Sequence, residues 1–184
     1  MSHYFTLYLS VFLIIFTFSI GIHHLNAQIY HMVLPHFQSI TILEDRNISI
    51  NFITEPNPIV SGHHSELKMS LINMESGEKI QHVTYRITIS KDNQTELSEF
   101  FHSHTGSLEI SSENNNSSSI NAEGNFDPLT NAIVPDPSGT IVITGPLFLD
   151  AGIYKATIEI ITIDNDKTVL PIPLQFHFDI KVKK

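Results

Sequence analysis
An all-β fold, antiparallel strands stacked as a sandwich, is what this sequence predicts, and three observations predict it. Apolar and polar residues alternate with a period of two in segment after segment. Turn-forming Pro, Gly, Asn and Asp fall between those segments. The chain is rich in Ile, Thr, Ser and Asn and lacks Trp, a composition that favours strands and turns over helices.

The first element is the exception. From Phe5 to Ile22, 18 residues are all apolar, Gly, Ser, Thr or Tyr. That run is longer than the ~7–15-residue core of a signal peptide and close to the ~18–20 residues that span a bilayer. Residues 1–27 are therefore expected to be a hydrophobic helix serving as a signal peptide or an uncleaved membrane anchor. Cleavage after Ser19-Ile20-Gly21 and after Leu25-Asn26-Ala27 are both consistent with the sequence, and the absence of Lys and Arg before the run leaves its orientation unset. Residues 28–46 are expected to connect this leader to a folded domain at 47–184.

Within that domain the alternation is explicit. Ile48, Ile50 and Phe52 alternate with Asn47, Ser49 and Asn51, and Leu67, Met69 and Leu71 with Glu66, Lys68 and Ser70. Val83, Tyr85, Ile87 and Ile89 alternate with Thr84, Arg86 and Thr88, and Leu174, Phe176, Phe178, Ile180 and Val182 with Gln175, His177, Asp179 and Lys181. One dry and one wet face per strand is the pattern of antiparallel sheets. Strands are expected near 47–54, 64–74, 80–90, 97–103, 107–112, 140–144, 153–163 and 172–183. Residues 113–139, rich in Ser, Asn, Pro and Gly, are expected to form a long, loose loop.

Composition bounds the function. The length of 184 residues suits one domain, and 41% apolar against 16% charged residues exclude a disordered chain. Ten Lys+Arg against nineteen Asp+Glu give a charge of −9, which repels phosphate backbones and argues against nucleic acid. The absence of cysteine excludes disulfides, thiolate metal sites and thiol nucleophiles. Core burial alone must hold the domain together. Four Asn-x-Ser/Thr sequons, at Asn47, Asn93, Asn115 and Asn116, all follow the leader and agree with a location outside the cytoplasm.

Asp150-Ala151-Gly152-Ile153-Tyr154-Lys155-Ala156 resembles the Asp-x-Gly-x-Tyr-x-Cys corner of immunoglobulin-type sandwiches, with Ala156 in place of the cysteine. The resemblance implies an immunoglobulin- or fibronectin-like sandwich in which the Tyr154 hydroxyl bonds back to the backbone beside Asp150 and Gly152. More broadly, three segments look like exported sandwich proteins of ammonia-oxidising archaea. They are Phe100-Phe101-His102-Ser103-His104-Thr105-Gly106, Gly145-Pro146-Leu147-Phe148-Leu149-Asp150-Ala151-Gly152-Ile153-Tyr154 and Ile163-Asp164-Asn165-Asp166. That likeness implies location and fold, and no activity.

Chemistry is sparse. Eight histidines lie beyond residue 27, at 31, 36, 63, 64, 82, 102, 104 and 177. On a strand His102 and His104 share a face, where two imidazoles can chelate a divalent ion, copper above all. His64 and His82 are the candidates to complete the set. Polar-face histidines on an exposed strand equally need no ligand, and Met69 falls on the apolar side as a core residue. Asp164-Asn165-Asp166 offers clustered oxygens for calcium, but a hairpin turn explains the same residues more simply. No serine sits in a nucleophile context, so a non-enzymatic role is expected. The leading expectation is a binding or structural module that contacts a protein partner at the cell surface or in the membrane. The alternatives are a copper-binding protein and an accessory subunit of a membrane complex.

Overall fold
In a two-layer β fold, the alternating residues of each strand decide which side chains can be buried together. The computed structural model of the chain describes residues 37–43, 46–115, 117–136 and 139–184. The predicted leader helix, its cleavage sites, His31 and His36 fall outside these residues. Among the described residues no helix is long and apolar enough to cross a membrane.

The described chain is all-β. In order, the strands are β1 (Phe37–Leu43), β2 (Arg46–Glu55), β3 (Ile59–Val60), β4 (Ser65–Asn73), β5 (Val83–Lys91), β6 (Gln94–Ser103) and β7 (Ser107–Glu113). There follow β8 (Asn121–Glu123), β9 (Asn125–Asp127), β10 (Ala132–Val134), β11 (Thr140–Thr144), β12 (Gly152–Thr162) and β13 (Val169–Lys183). They form two sheets, ordered β1-β2-β4-β7-β11-β8 and β3-β13-β12-β5-β6-β10-β9. Ile48, Ile50 and Phe52 of β2 and Leu67, Met69 and Leu71 of β4 enter a common core from the first sheet. Tyr85 and Ile87 of β5 and Phe176, Phe178 and Ile180 of β13 enter it from the second. Phe52 and Phe178, one from each sheet, stack with ring centroids 4.8 Å apart.

All eight predicted strands are present, with boundaries displaced by at most a few residues. Three expectations need correction. The segment assigned as a connector, 28–46, contains β1, which pairs with β2 from Phe37↔Phe52 to Leu43↔Arg46. The loose loop at 113–139 instead carries β8, β9 and β10: β9 and β10 form a hairpin, and β8 pairs with β11. Finally, pairing is mostly but not wholly antiparallel, since β7 and β11 run parallel over Thr140↔Glu109 to Thr144↔Glu113. The last two corrections share a cause. A parallel neighbour needs a crossover of a dozen or more residues, and the 113–139 excursion supplies one.

Two local devices shape the ends. The chain leaves the first sheet at Glu55 and joins the second at Ile59, through Pro56-Asn57-Pro58, whose prolines have no N–H to give to a ladder. At the start of β12 the buried Tyr154 hydroxyl donates to Asp150 O at 3.1 Å, and Asp150 N donates back to it at 3.3 Å. Burial pushes the phenol up to about 12, so it remains a neutral donor. Gly152 has φ +148°, where a Cβ would also come within 3.3 Å of the Lys91 side chain.

Candidate metal centre
The second sheet brings three chain segments together at one end of its central strands. β5 runs antiparallel to both β6 and β12. The residue before β5, the end of β6 and the hairpin after β12 must therefore be neighbours. His82 precedes β5, His102 is the penultimate residue of β6, His104 opens the turn to β7, and Asp166 lies in the β12–β13 hairpin.

These four side chains converge. One ligand atom from each of His82, His102, His104 and Asp166 lies within 4.8 Å of every other. His82 Nδ1 is 2.8 Å from Asp166 Oδ1, and His102 Nε2 is 3.2 Å from the same oxygen. His102 Nε2 is also 3.2 Å from His104 Nδ1. A tetrahedral ion with bonds of ~2.0–2.1 Å separates its donors by about 3.3 Å. The two 3.2 Å spacings match that edge, while the 2.8 Å contact between His82 and Asp166 is a hydrogen bond that would lengthen around an ion. The donor set is three imidazole nitrogens and one carboxylate oxygen, which suits zinc(II) or copper(II).

The backbone is bent to make this possible. His82 adopts a left-handed conformation, φ +53°, uncommon for a residue with a Cβ, and its N–H donates to His104 O at 3.2 Å. Asp164, also left-handed at φ +63°, donates its N–H to Gln81 O and accepts from the Arg46 guanidinium at 2.7 Å. The hairpin is thereby tied to the segment carrying His82 and to the first sheet.

His102 forms the floor of the site. It is fully buried, not on an exposed polar face as the alternation implied, and it pairs with Thr84 across the ladder. Thr84 Oγ1 lies 2.9 Å from His102 Nδ1, and the Thr162 hydroxyl donates to Thr84 Oγ1 at 2.8 Å. With its two lone pairs, Thr84 Oγ1 can accept from both, and in the tautomer with the proton on Nδ1 the Nε2 lone pair of His102 faces the cluster. Burial, reinforced by the His104 ring, lowers the His102 pKa, while the Asp166 and Asp127 carboxylates oppose the shift. His102 therefore favours the neutral form that a metal requires.

The 113–139 excursion walls the site. Asp127, at the end of β9, accepts from Leu129 N and the Thr130 hydroxyl, each at 2.9 Å. It is among the carboxylates acting on His102. A hollow of about 350 Å³ beneath the segment after β9 is lined by Phe100, Leu129, Ile161, Val169 and Asp166. A larger hollow of about 620 Å³ lies over outward residues of β2, β4 and β7, including Asn51, Lys68, Ser70 and Glu109, with His104 on its lining.

Of the predicted metal residues, three are brought together and one is not. His64 lies at the start of β4 in the first sheet, where its Nε2 is 3.5 Å from Glu66. His63 bonds Ser61 O and His177 bonds Thr157. Met69 is a core residue. The ligand missed by the sequence is Asp166. Its segment does form a hairpin turn, in which Asn165 Oδ1 accepts from Lys167 N and Thr168 N. The turn explanation and the ligand role are both satisfied, by adjacent residues. Asn47, Asn93 and Asn115 are exposed, while Asn116 falls outside the described residues. Comparison of the chain with protein-family models, curated proteins and solved structures gave no match.

Proposed function
We propose that this protein is a non-catalytic domain that binds a borderline divalent metal ion, copper(II) or zinc(II), through His82, His102, His104 and Asp166. The observation that carries the reading is the convergence of those four donors within 4.8 Å, around a buried histidine oriented by Thr84. Four protein donors fill a tetrahedron and leave no position for a reacting water, which favours holding an ion over hydrolysis. The 18-residue apolar run before the domain and the sequons support work outside the cytoplasm, at the cell surface or in the membrane. The Tyr154 hydrogen bonds and the strand switch at Pro56–Pro58 support an immunoglobulin-like arrangement, and with it the kinship to exported archaeal sandwich proteins.

A second reading, contact with a protein partner, is favoured by β1. This edge strand carries no charged residue and points Ile40 and Ile42, 60% and 69% exposed, away from the core. The deciding experiment is a calorimetric titration of the purified protein with copper(II) and with zinc(II), beside His102→Ala/His104→Ala and Asp166→Ala variants. Stoichiometric binding at one site, tighter than micromolar and lost in the double variant, is expected. Weak binding unaffected by the substitutions leaves the histidines as ordinary residues and moves the β1 surface to first place.

A further inference from the structure
The four donors are not equally held, and the difference bears on how an ion enters and leaves. His102 is fully buried and fixed by Thr84. Asp166 touches both His82 and His102 and sits in a hairpin braced by Asn165 and by Asp164–Arg46. His82 is half-buried and bonded to Asp166. His104 is exposed, and among the described residues its one side-chain hydrogen bond is to His102, at 3.2 Å. It is also the donor on the turn where the chain crosses from the second sheet to the first, and so it belongs both to the cluster and to the 620 Å³ hollow over the first sheet.

That hollow has a definite chemical character. Lys68 and Lys79 line it with Glu109 and Asp136, among hydroxyls such as Ser70 and Ser107 and the apolar Ile53 and Val134. Charges of both signs on a partly apolar wall suit a small zwitterion. The hollow beside Asp166 is the smaller, at about 350 Å³, and it meets the cluster at Asp166, a donor that His82 and His102 both hold in place.

Resting on the metal-binding reading, we infer that the site is an exchange site, in which a small amino-acid-type chelator enters the hollow over the first sheet and replaces His104 as a ligand. The chelator's amine or carboxylate donor forms a bond to the ion, passing through five-coordination, as the bond from the ion to His104 Nδ1 breaks. The displaced imidazole keeps its lone pair or takes a proton from water. No electron changes hands, so no oxidant or reductant is involved. Further donors of the chelator then replace Asp166, His82 and His102 in turn, each bond to the ion breaking as a new one forms, and the ion leaves with the chelator.

The test is stopped-flow transfer of cobalt(II), whose visible spectrum reports tetrahedral coordination, from the loaded protein to free histidine at increasing concentration. The transfer rate is expected to rise in proportion to histidine. Ser70→Trp, which fills the hollow without touching the cluster, should slow that transfer by about tenfold or more with cobalt affinity unchanged within about twofold. A rate independent of histidine, or one unaffected by Ser70→Trp, overturns the exchange proposal while leaving metal binding intact. If Ser70→Trp disturbs the fold, the comparison is made with histidine coupled to a dextran too large for the hollow: equal rates for free and coupled histidine overturn the proposal. Absence of binding by cobalt(II), zinc(II) and copper(II) alike overturns the metal-binding reading and this one with it.

Discussion

At the scale of the residue, the conformation of His82 is where folding and binding compete. A non-glycine residue at φ +53° carries a backbone cost, of order 1 kcal/mol, that glycine does not. If His82 is there to bind an ion, His82→Gly should leave the metal-free domain as stable as before, or more stable by up to about 1 kcal/mol, while weakening metal binding. Urea denaturation and a competition titration on the same variant measure the two sides. A loss of both would mean that His82 is a structural residue. His102 makes a complementary prediction through pH. Its folded pKa lies below the ordinary value near ~6.5, so in that interval the unfolded chain binds more protons than the folded one. Its contribution to stability is complete above ~6.5 and is lost as pH falls from there to the depressed folded value. Denaturation midpoints across that interval should slope upward with pH in the metal-free protein, and the slope should shrink in His102→Gln.

At the scale of the element, Thr84 and the excursion separate what was legible from what was not. Alternation places Thr84 on the outer face of β5, and nothing in the sequence says that His102 will lie opposite it, because strand register is not written locally. Thr84→Val keeps the shape and removes the hydrogen bond to Nδ1. Loss of such an outer partner typically costs 10–100-fold in metal affinity, and calorimetry should find a loss in that range, with the unfolding midpoint lowered as well because His102 Nδ1 and the Thr162 hydroxyl both lose a buried partner. The excursion was opaque for a different reason. Asn121–Glu123, Asn125–Asp127 and Ala132–Val134 are too short to show a period, and their composition is that of a loop. Pairing makes strands of them: β8 lies on the longer β11, β10 on the longer β6, and β9 on β10. Limited proteolysis should therefore cut the excursion slowly within 121–134. Rapid cleavage there would return it to the loose loop its composition suggests.

At the scale of the whole molecule, the long strands were readable because burial enforces their alternation, whereas the site depends on which strands are neighbours. The pair His102 and His104 was visible as a local pattern. His82 and Asp166 are far from that pair in sequence, and they join it only because β5 lies between β6 and β12. The same topology makes the ion a fastener. It would connect the segment before β5, the β6–β7 turn and the β12–β13 hairpin, in a domain with no cysteine to connect them covalently. An ion that binds only the folded state stabilises it by RT ln(1 + [L]/Kd), about 2.7 kcal/mol at a free concentration of 100 Kd. Thermal unfolding with and without zinc(II) or copper(II) should show a rise in midpoint that keeps growing with metal concentration beyond saturation, and none in His102→Ala/His104→Ala. Because the fastened segments all lie at one end of the sheets, hydrogen exchange should slow most in 80–84, 102–106 and 163–168. The Tyr154 corner lies at the other end of β12 and has its own hydrogen bonds, so protection there should hardly change. Equal protection at both ends would mean that the ion stabilises the domain globally and fastens neither end in particular.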